Sequence, residues 1–182
     1  MSAPVDLAHF VRDIPDFPTP GIVFKDITPI MADAAALDHA VAALADDARA
    51  RLGAVDVVIA AEARGFLLGP AVARELGAGF VLARKPGKLP RETVRAEYLL
   101  EYGLDALELH SDALDAGPSA PRVLVHDDLL ATGGTAGALC SLVEQLGGTV
   151  LGCAFLIELA FLDGRSRLEG YDVHALLEYA AE

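Results

Sequence analysis

The stretch "VLVHDDLLATGGT", residues 123–135, decides how the chain is read. It begins as a short, branched apolar run, the pattern of a strand buried on both faces of a sheet. Two adjacent carboxylates follow, Asp127 and Asp128, and then a Thr/Gly-rich turn, "ATGGT", opens the helical segment "GTAGALCSLVEQLG", which Gly147 closes. Gly133 and Gly134 let the backbone come close to a ligand, and a helix N-terminus offers unpaired amides and a positive dipole end. Thr132 and Thr135 add hydroxyl donors, so the turn can cup a phosphate. It is not a Walker A loop, because no lysine follows the glycines in the required place. Asp127 and Asp128 would repel a phosphate laid directly on them. They suit vicinal hydroxyls, which donate hydrogen bonds to a carboxylate, or a metal ion carried with the ligand. An anion cup beside a diol-binding pair is what a sugar 5-phosphate needs.

Strands and helices alternate on both sides of this stretch. "SAPVDLAHFVRDI" reads as an opening helix with Ser2 as its N-cap, followed by the rigid "PDFPTPG", 15–21. "ADAAALDHAVAALADDARARLG" is an amphipathic helix capped at Asp33 and ended by Gly53. "VDVVIAA" is a buried strand, "GFLLGPAVARELG" a helix and "AGFVLAR" the next strand. "TVRAEYLLEYG" and "LDALELH" can pair as a hairpin around Gly103, "PRVLVHD" and "TVLGCAFLIELA" are strands, and "YDVHALLEYA" is either a last strand or a helix. The order predicts an α/β chain with a doubly wound, mainly parallel sheet and an antiparallel excursion near 90–110. Ligands of such sheets sit beyond the carboxyl ends of the strands. That rule selects "EARG" after the strand at 56–61, "RKPGK" after 79–83 and "DDLLATGGT" after 122–126.

At 182 residues, 53% hydrophobic and 23% charged, the chain is expected to fold as one domain over residues 1–182. A net charge of -13 argues against nucleic-acid binding. Seven of the fourteen basic residues nevertheless fall between Arg64 and Arg95, so a local anion site competes with a plain solvated face. No basic, apolar leader opens the sequence, and no apolar run approaches the roughly 20 residues of a membrane span. With Cys140 and Cys153 read as buried, reduced thiols, a cytoplasmic protein is expected. Their spacing fits no metal motif, and His9, His39, His110 and His174 show no ligand spacing, so no metal site of the protein's own is expected.

Stretch 123–135 resembles the phosphoribosyl diphosphate (PRPP) binding motif of the type I phosphoribosyltransferase family. "IPDFPTPGIVFKDITPI", "EARGFLLGP" and "RKPGKLPRETVRAEYLLEYG", in this order and spacing, resemble the adenine-using branch, and the match runs from about residue 12 to residue 160. The resemblance implies the type I fold with a small antiparallel hood, a flexible loop at about 84–103, and the reaction adenine + PRPP → AMP + diphosphate with Mg2+ in purine salvage. It implies that Ala131, Thr132, Gly133, Gly134 and Thr135 hold the 5-phosphate and that Asp127 and Asp128 hold the ribose hydroxyls. Diphosphate falls to Glu62, Ala63, Arg64 and Gly65, in a turn that often carries a non-proline cis peptide, and to Arg84 and Lys88. Arg84 is expected to reach across a homodimer interface. Adenine falls to Val23, Phe24, Lys25 and Leu129, mainly through backbone groups in the first segment. Glu101 is the proton donor or acceptor near adenine N7, Tyr102 lies beside it, and residues from about Pro86 to Tyr98 form the hood that closes over the site. Mg2+ would be carried mainly by PRPP and water.

The sequence departs from the family pattern at three places. His126 replaces the usual aliphatic residue before the acid pair, Lys25 stands where arginine is common, and Pro86 interrupts the basic loop. His126 is either satisfied by a backbone carbonyl or tunes a neighbouring aspartate. Two alternatives to the adenine enzyme stay open: transfer to another 6-substituted purine, and a non-catalytic sensor of PRPP or purine. A sensor would need neither Glu101 nor the basic hood, and no basic helix-turn-helix is present.

Overall fold

A computed structural model describes residues 5–100 and 103–181. Its centre is a five-stranded sheet in the order β4-β3-β7-β8-β9, parallel throughout, built from β3 (Val57–Ala61), β4 (Gly79–Ala83), β7 (Arg122–Leu130), β8 (Thr149–Leu159) and β9 (Asp172–Tyr179). The tail read as either strand or helix is therefore a strand. A two-stranded antiparallel sheet joins β1 (Arg12–Ile14) to β2 (Phe24–Asp26), and another joins β5 (Thr93–Leu100) to β6 (Gly103–His110). The doubly wound sheet and its antiparallel excursion are thus as the sequence implied.

Helices cover both faces. On one, α1 (Thr28–Ala32), α2 (Ala34–Leu52) and α3 (Gly65–Leu76) bury Ile30, Leu44 and Leu68 against Val58, Leu124 and Leu156. On the other, α4 (Gly134–Gln145) and the β5–β6 hairpin bury Leu139, Leu142 and Leu107 against Ile59, Val125 and Phe155. Successive strand residues point to opposite faces, so the apolar runs of β3 and β7 feed both cores. Asp33 caps α2 by accepting from Ala35 N and Ala36 N, and Gly53 ends it at φ +76°.

The opening segment departs from expectation. Among the described residues only Leu7–Phe10 is helical, as a single 3-10 turn capped by Asp6. The chain then enters β1, because Arg12, Asp13 and Ile14 pair across to Asp26, Lys25 and Phe24. Cross-strand pairing outweighs local propensity over so few residues. Ser2 lies outside the described residues. A second difference matters more: β7 does not stop at His126 but runs to Leu130, which places the acid pair inside the strand.

Candidate active site

All three predicted loops meet at the carboxyl edge of the sheet. Gly133 takes φ +79°, a left-handed turn that glycine tolerates, and delivers the chain into α4. Arg64, Asp127, Leu129, Thr132, Gly133 and Thr135 are among the walls of one cavity of about 140 Å³ beside this turn. Gly65 opens α3 close under β7: a Cβ there would stand 3.0 Å from both Asp127 Oδ1 and Ala60 Cβ. The "EARG" turn and the acid pair are therefore packed together. The peptide between Glu62 and Ala63 is cis, in the turn where the resemblance implied one.

Although they are neighbours in a strand, Asp127 and Asp128 both face the "EARG" turn, Asp127 Oδ1 beside Gly65 and Asp128 Oδ2 beside Arg64. Asp127 is half-buried and lines the cavity; Asp128 is buried. Asp127 Oδ1 accepts from Asp128 N at 2.9 Å. Arg64 Nε lies 3.3 Å from Asp128 Oδ2, an oxygen that accepts no hydrogen bond among the described residues. Burial, and then the Asp128 charge, push the Asp127 carboxyl well above the usual range. Burial raises Asp128 too, against the opposing pull of Arg64.

The opposite holds at Glu62. Burial would raise its carboxyl, but hydrogen bonds from Lys88, from Arg84 Nε at 2.7 Å and from Lys85 N at 2.9 Å outweigh it and bring the group to about 2. Arg84 is thus engaged within its own chain. Stability from Glu62 is fully present above its ordinary value of 4.5 and is lost as pH falls towards 2. Urea midpoints at pH 6 and pH 3 are expected to fall less for Glu62→Gln than for the wild type, and parallel losses would show that the three donors add nothing.

Six of the seven clustered basic residues face carboxylates: Arg64 with Asp128, Arg84 and Lys88 with Glu62, Lys85 with Asp105, Arg91 with Asp112, and Arg95 with Glu97. Only Arg64, Arg84, Lys85 and Lys88 adjoin the "EARG" turn and the acid pair. Arg91 and Arg95 form exposed surface pairs, so the solvated-face reading holds for part of the cluster. Lys85, which sequence reasoning left without a role, donates its backbone N–H to Glu62 and holds Tyr98 Oη at 3.0 Å. No local signal announces this, because the partners lie just after β3 and on β5 and β6.

Phe24 stacks edge-on against Phe17 with centroids 5.2 Å apart and carries the Arg64 guanidinium 5.3 Å from its ring centre. Lys25 is buried, its ammonium 2.7 Å from Asp13 Oδ1 and 4.3 Å from the Tyr179 ring centre. Its side chain is engaged inside the fold, which leaves the backbone as what Lys25 can offer a ligand. Leu129 lines the cavity, and Val23, next to Phe24, is half-buried. His126 Nδ1 donates to the Ala154 carbonyl at 2.9 Å, and burial lowers its pKa to about 4. The contact with a backbone carbonyl is thus present at Nδ1, while Nε2 is buried without a hydrogen-bond partner among the described residues. Glu101 and Tyr102 lie outside the described residues.

Residues 26–174 match the model of the phosphoribosyl transferase domain family. The chain is 58% identical to the adenine phosphoribosyltransferase of Rubrobacter xylanophilus over 170 residues, 93% of this chain and 89% of that one. Its fold superposes on the crystal structure of adenine phosphoribosyltransferase from Thermoanaerobacter pseudethanolicus with a TM-score of 0.89 and 51% identity, covering 95% and 98% of the two chains. The Saccharomyces cerevisiae enzyme, solved with an imino-altritol bisphosphate and adenine, aligns with a TM-score of 0.88 and 39% identity over 94% and 96%.

Proposed function

The chain belongs to the phosphoribosyltransferase family, and from that membership we propose how its own residues carry the family's chemistry. The reaction is transfer of the 5-phosphoribosyl group of PRPP to adenine, giving AMP and diphosphate in purine salvage. What carries the assignment of residues is that Asp127, the Thr132–Thr135 turn and Arg64 share one cavity. The turn takes the 5-phosphate through its amides and hydroxyls. Asp127 and Asp128 take the ribose hydroxyls and face the positive charge that develops on the ribose as its bond to diphosphate breaks. Neither aspartate acts as a nucleophile, since direct displacement requires none.

Arg84, Lys88 and the Lys85 amide, gathered by Glu62, are the donors available to diphosphate, with Arg64 beside them. Glu62 holds these cations in place before the anion arrives, which limits the reorganisation needed on binding. Val23, Phe24, Lys25 and Leu129 take adenine, and Glu101 exchanges the proton at N7, with Tyr102 beside it. Residues from about Pro86 to Tyr98, carried by the β5 hairpin, form the hood that keeps water from the reactive sugar.

Among the described residues no three His, Cys, Asp or Glu side chains converge as a metal cage. The hard oxygens of Asp127 and of Asp128, whose Oδ2 accepts no hydrogen bond among the described residues, fit an ion shared with the substrate, since Mg2+ is commonly held by one or two carboxylates plus substrate phosphates. Mg2+ bound with PRPP would neutralise the departing diphosphate. We assign the protein to the cytoplasm, where the two free buried thiols suit a reducing compartment; no helix among the described residues is long and apolar enough to cross a membrane. A homodimer is proposed through the face that exposes Leu67 on α3 and Leu82 on β4, next to Arg84.

Incubation with PRPP, Mg2+ and each of adenine, hypoxanthine, guanine and xanthine should release diphosphate fastest with adenine. Success with another base and failure with adenine would move the specificity to a different 6-substituted purine and leave the fold untouched.

A further inference from the structure

The phosphate cup has a second wall that the sequence motif does not contain. The 3-10 turn Gly164–Leu168, between β8 and β9, presses directly on the loop 131–134. A Cβ on Gly133 would sit 2.4 Å from Gly164 O, and a Cβ on Gly164 would sit 2.2 Å from Ala131 O and 3.0 Å from Leu130 Cδ1. Each glycine therefore touches the other segment's backbone, and no side-chain rotation can relieve a collision there.

The turn itself is fixed from behind. Arg165 donates to both carboxylate oxygens of Glu158, at 2.7 and 2.6 Å, and to the Val173 carbonyl at 2.7 Å. Glu158 is buried near the end of β8, opposite Leu130 of β7 and Glu178 of β9. A carboxylate buried there needs the bidentate guanidinium, and the fork in turn fixes the position of the turn. Leu168 closes the arrangement by burying its side chain in the core shared with α4.

We infer that Gly164, Arg165 and Glu158 are positioning residues: the Gly164–Leu168 turn is the rigid back wall of the phosphate cup and sets its affinity for a sugar phosphate. The inference rests on reading 131–135 as that cup. Without the wall, Gly133 could relax from its left-handed turn, and the amides of the loop would no longer converge on one oxyanion. Arg165 touches no substrate and acts only by holding the wall.

Binding of ribose 5-phosphate, measured by calorimetry, tests the cup without any chemistry. Gly164→Ala is expected to weaken it about tenfold or more, since an overpacked contact against backbone cannot relax. Arg165→Lys keeps the charge but loses the fork, and should weaken binding about fivefold. Gly137→Ala on α4, whose Cβ would meet only Arg167 O at 3.9 Å, should stay within about twofold. In turnover the first two variants should raise KM for PRPP and leave KM for adenine unchanged. If Gly164→Ala does not fold, Arg165→Lys decides. Lower melting temperatures with ribose 5-phosphate affinity unchanged would make the turn scaffold only and overturn the inference. Absence of ribose 5-phosphate binding in the wild type would remove the cup and the inference together. Wild-type binding without adenine turnover would instead overturn the reaction assigned above, leaving the variants to judge the wall.

Discussion

Replacing Asp127 and Asp128 together with asparagine is expected to lower kcat/KM by about 10³-fold or more, and at the same time to raise thermal stability. The two effects share one cause. Burial raises both carboxyls above their ordinary value of 3.8, and the Asp128 charge raises Asp127 further, so folding disfavours the charged form of the pair. A carboxyl whose folded pKa is raised gives its full stability below the unfolded value and loses it as pH rises through the folded one. Asparagine is neutral throughout and can still accept from the backbone as Asp127 Oδ1 does. The variant's advantage should therefore be largest near pH 7 and vanish below about pH 4. In a chain of this length each kcal/mol recovered appears as about 2–4 °C in Tm. Thermal melts at both pH values, together with PRPP titrations, measure the two sides. Loss of stability and activity together would mean that the pair serves the fold rather than the ligand. Such a trade is expected where a site keeps an unfavourable charge for its chemistry.

The sheet and its carboxyl-edge loops were legible because the apolar runs at 57–61 and 122–126 are short, branched and bounded by glycine or charge. Cap chemistry at Asp33 and Gly53 fixed α2 for the same reason: a local rule operates on adjacent residues. What was not legible depends on partners far along the chain. The opening helix failed because β1 finds Phe24–Asp26 across a proline-rich turn. The extension of β7 through Asp127 and Asp128 is set by pairing with Phe155–Glu158, and nothing in "DDLL" itself favours a strand. Arg84, Lys85 and Lys88 were counted as a basic cluster, but only the fold shows that Glu62 collects them. The wall at Gly164 had no signal in the PRPP motif, since it meets Ala131 and Gly133 from 33 and 31 residues away.

Arg64→Ala is the second large effect, about 10³-fold in kcat/KM, because one guanidinium has two duties. Its Nε lies 3.3 Å from buried Asp128, and its Cζ sits over the Phe24 ring at the proposed base end of the site. Truncation removes a cation from the proposed diphosphate site and leaves Asp128 without its opposing charge. The Asp128 carboxyl then rises further, and the folded state loses stability at neutral pH, where the charge must stay buried. The two duties separate in a double-mutant cycle. Asp128→Asn in the Arg64→Ala background should recover most of the lost Tm, since no unpaired charge remains, yet leave kcat/KM at or below that of the single variant. Recovery of both would assign Arg64 solely to neutralising Asp128, and an Arg64→Ala enzyme within tenfold of the wild type would remove it from the diphosphate site. The distinction bears on how an acidic protein of net charge -13 handles a polyanion. Its cations at the site are each held by a carboxylate beforehand, so binding exchanges one partner for another rather than drawing an anion to an open positive surface.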